Sequence, residues 1–114
     1  MPTRSSGSVK VFSPPHDRDE LIARLRERVP ALRLALPARR VVLFGSWAVG
    51  RATAFSDIDL LVVYAGPRRE DAYALVRRTL GLRGLEPHVY SEEEAERLQT
   101  MLQRMTRHGI PLSV

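Results

Sequence analysis

The sequence contains no cysteine, a single lysine and only three histidines among its 114 residues. The absence of cysteine excludes disulfide bonds, thiolate nucleophiles, iron–sulfur clusters and cysteine-ligated zinc sites. The histidines, His16, His88 and His108, are too far apart in the chain to form a local metal-binding motif. A metal ion in this protein would therefore be held by oxygen ligands, which favour magnesium or manganese over zinc.

Long hydrophobic segments are also missing, since no apolar run approaches the roughly 18 residues that a membrane span needs. Residues 1–10 are polar and lack the apolar stretch of a secretory signal. Hydrophobic residues make up 44% of the chain and charged residues 27%, which is typical of a folded globular domain. We therefore expect a cytoplasmic protein without membrane contact, with a flexible lead-in over residues 1–15 and a single domain over residues 16–114.

Basic residues are in excess, with a net charge of +5, and 17 of the 18 basic residues are arginine. One interpretation is an anionic partner such as nucleic acid or a nucleotide. The other is a genomic or thermal bias, because arginine-rich chains with proline in their loops are typical of thermophilic or GC-rich sources. The arginines are scattered rather than clustered, which favours the second interpretation and argues against direct binding of nucleic acid.

Apolar periodicity, capping residues and turn residues predict the secondary structure. Helices are predicted at residues 17–29, 68–80 and 91–107, with a helical turn at 46–50 and a loop at 51–56. Strands are predicted at residues 41–44, 57–64 and 85–90. Pro30 is expected to end or kink the first helix, with a second turn or short helix up to Leu36. The order α-β-α-β-α-β-α predicts an α/β fold in which helices flank a small sheet.

Two aspartates, Asp57 and Asp59, open the second predicted strand. Side chains alternate along a strand, so both would point the same way, about 6.6 to 6.8 Å apart. Carboxylates at this spacing repel each other unless a cation lies between them, and one or two divalent ions would meet that need. Taken alone, such a pair is more often a solvated strand end or a helix cap.

The first predicted strand ends at Gly45-Ser46 and leads directly into the helical turn. Glycine allows close approach of the backbone to a phosphate, the serine hydroxyl can donate to it, and free N–H groups favour an anion. Alone, this pair is most often an ordinary turn. Together with Asp57, eleven residues downstream at another strand end, it indicates a site that grips a polyphosphate and its metal for phosphoryl chemistry.

The segments Gly45-Ser-x-x-x-Gly50 and Ser56-Asp-Ile-Asp-Leu60 resemble the signature of the nucleotidyltransferase superfamily, which includes DNA polymerase beta. The small size is similar to that of its minimal nucleotidyltransferases, the MNT proteins, and the resemblance runs from about Leu21 to Leu112. It implies a small mixed β-sheet flanked by helices. It also implies that Asp57 and Asp59 bind two Mg²⁺ or Mn²⁺ ions. By the same resemblance, the phosphates of ATP or another NTP would contact Gly45, Ser46, Gly50, Arg51 and Ser56.

A third carboxylate on a later strand is part of the family pattern, and Glu86 is the matching position. Alternation places Glu86, His88 and Tyr90 on one face, so Glu86 could complete the metal site or accept a proton from the acceptor hydroxyl. Two features depart from the pattern: glutamate replaces the more usual aspartate, and Pro87 marks the strand as an edge or bent strand. His88 is interpreted as an ordinary strand histidine.

Another departure is Val49, where related sequences commonly carry a basic residue. Arg51 could replace that charge beside the triphosphate, or the affinity for nucleotide could be lower.

The resemblance implies transfer of a nucleoside monophosphate, AMP from ATP, to an acceptor hydroxyl on a partner protein. Relatives of this size resemble the antitoxin halves of HEPN–MNT toxin–antitoxin pairs, in which the MNT protein binds a helical HEPN-type RNase. The alternative is therefore a binding module that neutralises such a toxin by contact, with catalysis weak or absent. Whether the protein forms a homodimer is left open by the sequence.

Overall fold

The structure, a computed structural model, describes residues 17–113 of the chain. The predicted lead-in at residues 1–15 lies outside the described residues. The helices within the described part are α1 (Arg18–Ala35), α2 (Ala72–Leu80), α3 (Glu92–Arg97) and α4 (Gln99–Met105). The strands are β1 (Ala38–Phe44), β2 (Ile58–Tyr64), β3 (Leu85–Ser91) and β4 (Ile110–Pro111). A short 3₁₀ segment at Gly45–Trp47, here named the glycine–serine turn, follows β1.

The strands form one mixed sheet in the order β3-β2-β1-β4. β1 pairs antiparallel with β2 and with β4, whereas β2 and β3 run parallel. A parallel pair needs a crossover connection, and α2 provides it. β3 is an edge strand, as the position of Pro87 predicts. The α/β fold with a small mixed sheet flanked by helices is confirmed.

Helices cover both faces of the sheet. One face packs against the apolar sides of α1 and α2 and forms the main core. The other face packs beneath α3 and α4, with Val42, Phe44, Leu61 and Val63 around Leu102. β2 is buried on both faces, which explains its continuous apolar run from Leu60. The polar exception is Asp59, which lies on the α4 side at the start of this strand.

The first helix does not end at Pro30, contrary to the sequence-based prediction. α1 continues to Ala35 with Pro30 inside it. Leu32 and Leu36 extend the stripe of α1 that packs into the main core, and both are fully buried. Burying each leucine contributes roughly 1.5–3 kcal/mol, which offsets the cost of about 3 kcal/mol for an interior proline.

The helix predicted at residues 91–107 is two helices, because the backbone at Leu98 leaves helical geometry with ψ at 16°. Its start is as predicted: Ser91 and Glu94 form a reciprocal capping box. The bend keeps Leu98 against the same apolar cluster as Leu102.

The other helix predicted from residue 68 begins only at Ala72. Upstream of it, the backbone N–H of Arg69 is donated to the Tyr64 hydroxyl at 2.8 Å, which holds this segment in a turn. None of the helices within residues 17–113 combines the length and the apolar character that crossing a membrane requires.

Candidate active site

The register of β2 and β3 brings two of the predicted carboxylates side by side. Asp59 is the direct partner of Glu86 in the parallel pair. Asp57 lies two residues before Asp59 and just outside β2. Asp59 is half-buried, whereas Asp57 and Glu86 are exposed. Three acidic side chains therefore surround the open end of this face of the sheet.

This charge density affects the ionisation of Asp59. Burial raises the pKa of its carboxyl group, and repulsion from Asp57 and Glu86 adds to the rise. Attraction and hydrogen bonding from His88 act in the opposite direction. His88 therefore compensates for only part of the free-energy cost of burying the Asp59 carboxylate.

His88 lies closer to the candidate site than its interpretation as an ordinary strand histidine suggests. Its Nε2 atom is 3.6 Å from Oδ1 of Asp59. Its ring packs against Phe44 at an angle of 59°, with the ring centroids 5.1 Å apart. The alternation of residues 86, 88 and 90 along β3 is the sequence signal that placed it on this face.

Gly45 joins the glycine–serine turn to this acidic cluster. It has a φ of 77°, a left-handed conformation that disfavours other residues. Its Cα faces Asp59 so closely that an added Cβ would overlap Oδ2 of the carboxylate. The neighbouring residue, Phe44, is the register partner of Asp59 in β1. The backbone of the turn and the carboxylate of Asp59 therefore form one continuous surface.

The glycine–serine turn is fixed from α1 by a residue that the sequence did not single out. Arg18 donates from Nε to the Trp47 carbonyl at 3.2 Å and from Nη2 to the Ala48 carbonyl at 2.7 Å. The side chain of Trp47 is buried in the main core. The anchoring spans 30 residues of sequence, so no local pattern reveals it.

We expect Arg18→Met to lower the free energy of unfolding by about 1–3 kcal/mol, because two carbonyl groups lose a charged donor. Urea denaturation measures this loss. Arg24→Met is the matched control, since the Arg24 side chain is exposed on the same helix and makes no hydrogen bond or ion pair with residues 17–113. Equal stability of the two variants would show that the anchor contributes nothing.

The remaining predicted nucleotide contacts lie in the turn, just after it, or on the loop before Asp57. Ser46 is half-buried, and its carbonyl accepts a hydrogen bond from the Arg51 backbone N–H at 2.9 Å. Gly50 also has a φ of 77°, with open space where a side chain would stand. Ser56 accepts from the Thr53 N–H at 2.8 Å and so stabilises the loop before Asp57. Contacts of these residues with a nucleotide remain predictions.

Glu86 is linked to α2 through Tyr73. The Tyr73 hydroxyl donates to Oε1 of Glu86 at 3.4 Å, and Arg77 donates to the same hydroxyl at 3.5 Å. The Arg77 guanidinium also lies 6.0 Å from the centre of the Tyr73 ring. This chain of contacts connects the Glu86 carboxylate to α2.

The donor set fits a hard divalent cation. Over residues 17–113 no arginine lies within ion-pair distance of Asp57, Asp59 or Glu86. The nearby basic groups are His88, 3.6 Å from Asp59, and the more distant Arg77, which interacts electrostatically with Glu86. Carboxylate oxygens are the ligands that Mg²⁺ and Mn²⁺ prefer. Within residues 17–113, however, no group of three or more histidine, aspartate or glutamate side chains is arranged so that it could hold a metal ion.

Comparison with known proteins gives one family match and several structural ones. A family model described as a nucleotidyltransferase domain matches residues 18–110, a range that contains every predicted site residue. No curated protein matches the chain.

Among solved structures, a candidate nucleotidyltransferase from Sulfolobus solfataricus is 23% identical with a TM-score of 0.58, over 83% of this chain and 81% of that one. A toxin–antitoxin structure with AMP-PNP is 21% identical with a TM-score of 0.56, over 77% and 72%. The MntA–HpeT toxin–antitoxin structure is 20% identical with a TM-score of 0.53, over 86% and 73%. At these identities the structural matches establish a shared fold.

Proposed function

This chain belongs to the nucleotidyltransferase domain family, and we propose that it transfers a nucleoside monophosphate, AMP from ATP, to an acceptor hydroxyl on a partner protein. The observation that carries the proposal is the contact between Gly45 and Asp59. It joins a turn suited to phosphate with a carboxylate suited to a divalent cation, which are the two parts that phosphoryl transfer needs.

In the proposed reaction, Asp57 and Asp59 hold two Mg²⁺ or Mn²⁺ ions, with Glu86 beside them. Neutralising the negative charge of the reacting phosphate is the chemistry that these ions supply when bound. The hydroxyl of Ser46 and the N–H groups of the turn bind the β- and γ-phosphates. Arg51 and Gly50 border the same phosphates, and Ser56 supports the loop that carries Asp57.

The transfer breaks the bond between the α-phosphorus and the pyrophosphate oxygen and forms a bond from that phosphorus to the acceptor oxygen. Pyrophosphate leaves, and the acceptor proton passes to the carboxylate of Glu86. Tyr73 keeps this carboxylate in place through its hydrogen bond to Oε1. Positioning and charge neutralisation account for most of the proposed catalysis, because the protein forms no covalent bond to the substrate.

Labelled ATP tests the transfer directly. We expect purified protein with magnesium to incorporate label from ATP labelled at the α-phosphate, and none from ATP labelled at the γ-phosphate. Incorporation from the γ-phosphate would indicate a kinase instead. Failure to incorporate label from either substrate, with a HEPN-type protein and simple hydroxyl compounds offered as acceptors, would contradict the proposal.

The second candidate function is that of an antitoxin that neutralises a HEPN-type RNase by contact. It is favoured by the toxin–antitoxin proteins among the structural matches. It is also favoured by Phe55, an 88% exposed aromatic side chain on the loop before Asp57, because aromatic residues are frequent anchors of protein interfaces.

The intact mass of a co-purified partner separates the two functions. A partner that gains the mass of a nucleoside monophosphate supports transfer. An unmodified partner that is equally inhibited by wild-type protein and by Asp57→Asn supports neutralisation by contact.

A further inference from the structure

A cavity of about 450 Å³ opens beside the glycine–serine turn, outside the acidic cluster. One wall consists of Phe44, Gly45 and Val49, and it carries no charged side chain. The rest of the lining comes from the end of α4 and the turn that follows, and it includes Arg104, Arg107 and His108. Gly45 belongs both to this cavity and to the contact with Asp59. The cavity is therefore continuous with the candidate active site.

The positive wall has no internal counter-charge. Arg104 and Arg107 form no ion pair with any carboxylate in residues 17–113, and both are exposed. Clustered positive charges repel one another and attract anions. Favourable placement at a helix C-terminus can explain Arg104, but Arg107 and His108 lie beyond the helix.

Two of the last four carbonyl groups of α4, those of Leu102 and Arg104, accept hydrogen bonds from the turn that follows the helix. The Thr106 hydroxyl donates to the Leu102 carbonyl at 2.7 Å, and the Gly109 N–H donates to the Thr106 carbonyl at 2.9 Å. Gly109 also packs tightly on β1, since a Cβ added there would lie 2.6 Å from Val42 Cγ1. This packing fixes the turn that carries Arg107 against β1, beside the cavity that Gly45 also lines.

We infer that this cavity binds the terminal phosphates of the nucleoside triphosphate, with Arg104 and Arg107 as the cationic groups that hold them. The inference rests on the proposed function, which brings a triphosphate to the glycine–serine turn. Guanidinium groups match phosphate oxygens with paired hydrogen bonds. Val49 leaves the turn side of the cavity without a cation, so the charge comes from the end of α4 and the turn that follows it. Phe44, Gly45 and Val49 carry no negatively charged side chain, so this side of the cavity does not repel the phosphates.

Binding of inorganic tripolyphosphate to the full chain, measured by calorimetry, tests this inference. We expect wild-type protein to bind tripolyphosphate, and the double variant Arg104→Gln/Arg107→Gln to bind it at least about tenfold more weakly. The control is Arg39→Gln/Arg40→Gln, which removes the same charge from two exposed arginines at the far end of β1. The control should bind as wild type does. Arg104→Lys/Arg107→Lys should fall between, because lysine keeps the charge but loses the paired geometry.

The outcomes separate this inference from the proposed function. Equal binding of tripolyphosphate by wild type and by the Arg104/Arg107 variant, both folded by circular dichroism, overturns the inference even if transfer of the α-phosphate label is normal. An equal loss in the Arg39/Arg40 control also overturns it, since net charge alone would then explain binding. Arginine-dependent binding of tripolyphosphate in a protein that transfers no label supports the inference while the proposed transfer fails.

Discussion

Replacing Asp59 by asparagine is expected to reduce transfer of the α-phosphate label by about a thousandfold, because the amide cannot supply the charge that holds a cation next to the reacting phosphate. Asparagine has nearly the same shape, so the packing against Phe44 and Gly45 should be kept. Initial rates at saturating ATP and magnesium measure the effect. Activity within tenfold of wild type would remove Asp59 from the catalytic machinery.

The same substitution should not weaken the fold. The raised pKa of Asp59 means that the folded protein disfavours its charged form, chiefly because of burial. Between the ordinary value of 3.8 and the higher folded value, the folded state holds more protons than the unfolded state. The free energy of unfolding therefore falls as the pH rises through this window. Asp59→Asn lacks this dependence and should be at least as stable as wild type at neutral pH in metal-free buffer.

Asp71→Asn is the matched control for Asp59→Asn. The hydrogen bond from Arg69 holds the pKa of the Asp71 carboxyl below its usual value, so its charged form stabilises the fold above that range. Removing this charge should leave transfer intact and should not raise stability at neutral pH. Urea denaturation over a pH series measures the change in the free energy of unfolding that each substitution causes. We expect this change to have opposite signs in the two variants. Changes of the same sign would contradict the view that the charged carboxylate of Asp59 destabilises the folded protein.

Local patterns in the sequence predict those parts of the fold and site that depend on neighbouring residues. Alternation along each strand places Asp57 with Asp59 and Glu86 with His88, and the register of the structure then makes Asp59 and Glu86 direct partners. Ser91 and Glu94 mark the start of α3 because both halves of a capping box lie within four residues. The two-residue strand β4 is too short to produce a periodic signal.

Contacts between distant segments could not be predicted in this way. The anchoring of the glycine–serine turn by Arg18 depends on how α1 packs across the sheet. The presence of Arg107 and Gly45 in the lining of one cavity depends on the close packing of Gly109 on β1. In α1 the burial of Leu32 outweighs the local tendency of Pro30 to end a helix. In each case long-range packing decides, and a window of neighbouring residues contains no information about it.

Gly45→Ala is expected to reduce transfer by about a hundredfold, the loss that a catalytic group displaced by about 1 Å can cause. The new methyl group would overlap Oδ2 of Asp59, and the Cβ and Cγ atoms of that side chain each lie only 3.2 Å away. The carboxylate must therefore move from its position beside the turn. Alanine at a φ of 77° should also lower the free energy of unfolding by about 1–2 kcal/mol.

Gly66→Ala separates the displacement of Asp59 from the backbone strain. Gly66 has a φ of 94° after the far end of β2, and no atom lies within 4 Å of an added Cβ. We expect this variant to lose a similar amount of stability, measured by urea denaturation, and to transfer label at the wild-type rate. Full activity of Gly45→Ala, or an equal loss of activity in both variants, would contradict the view that contact between the turn and the Asp59 carboxylate positions the site. A loss confined to Gly45→Ala follows only if that contact sets the geometry of the reaction.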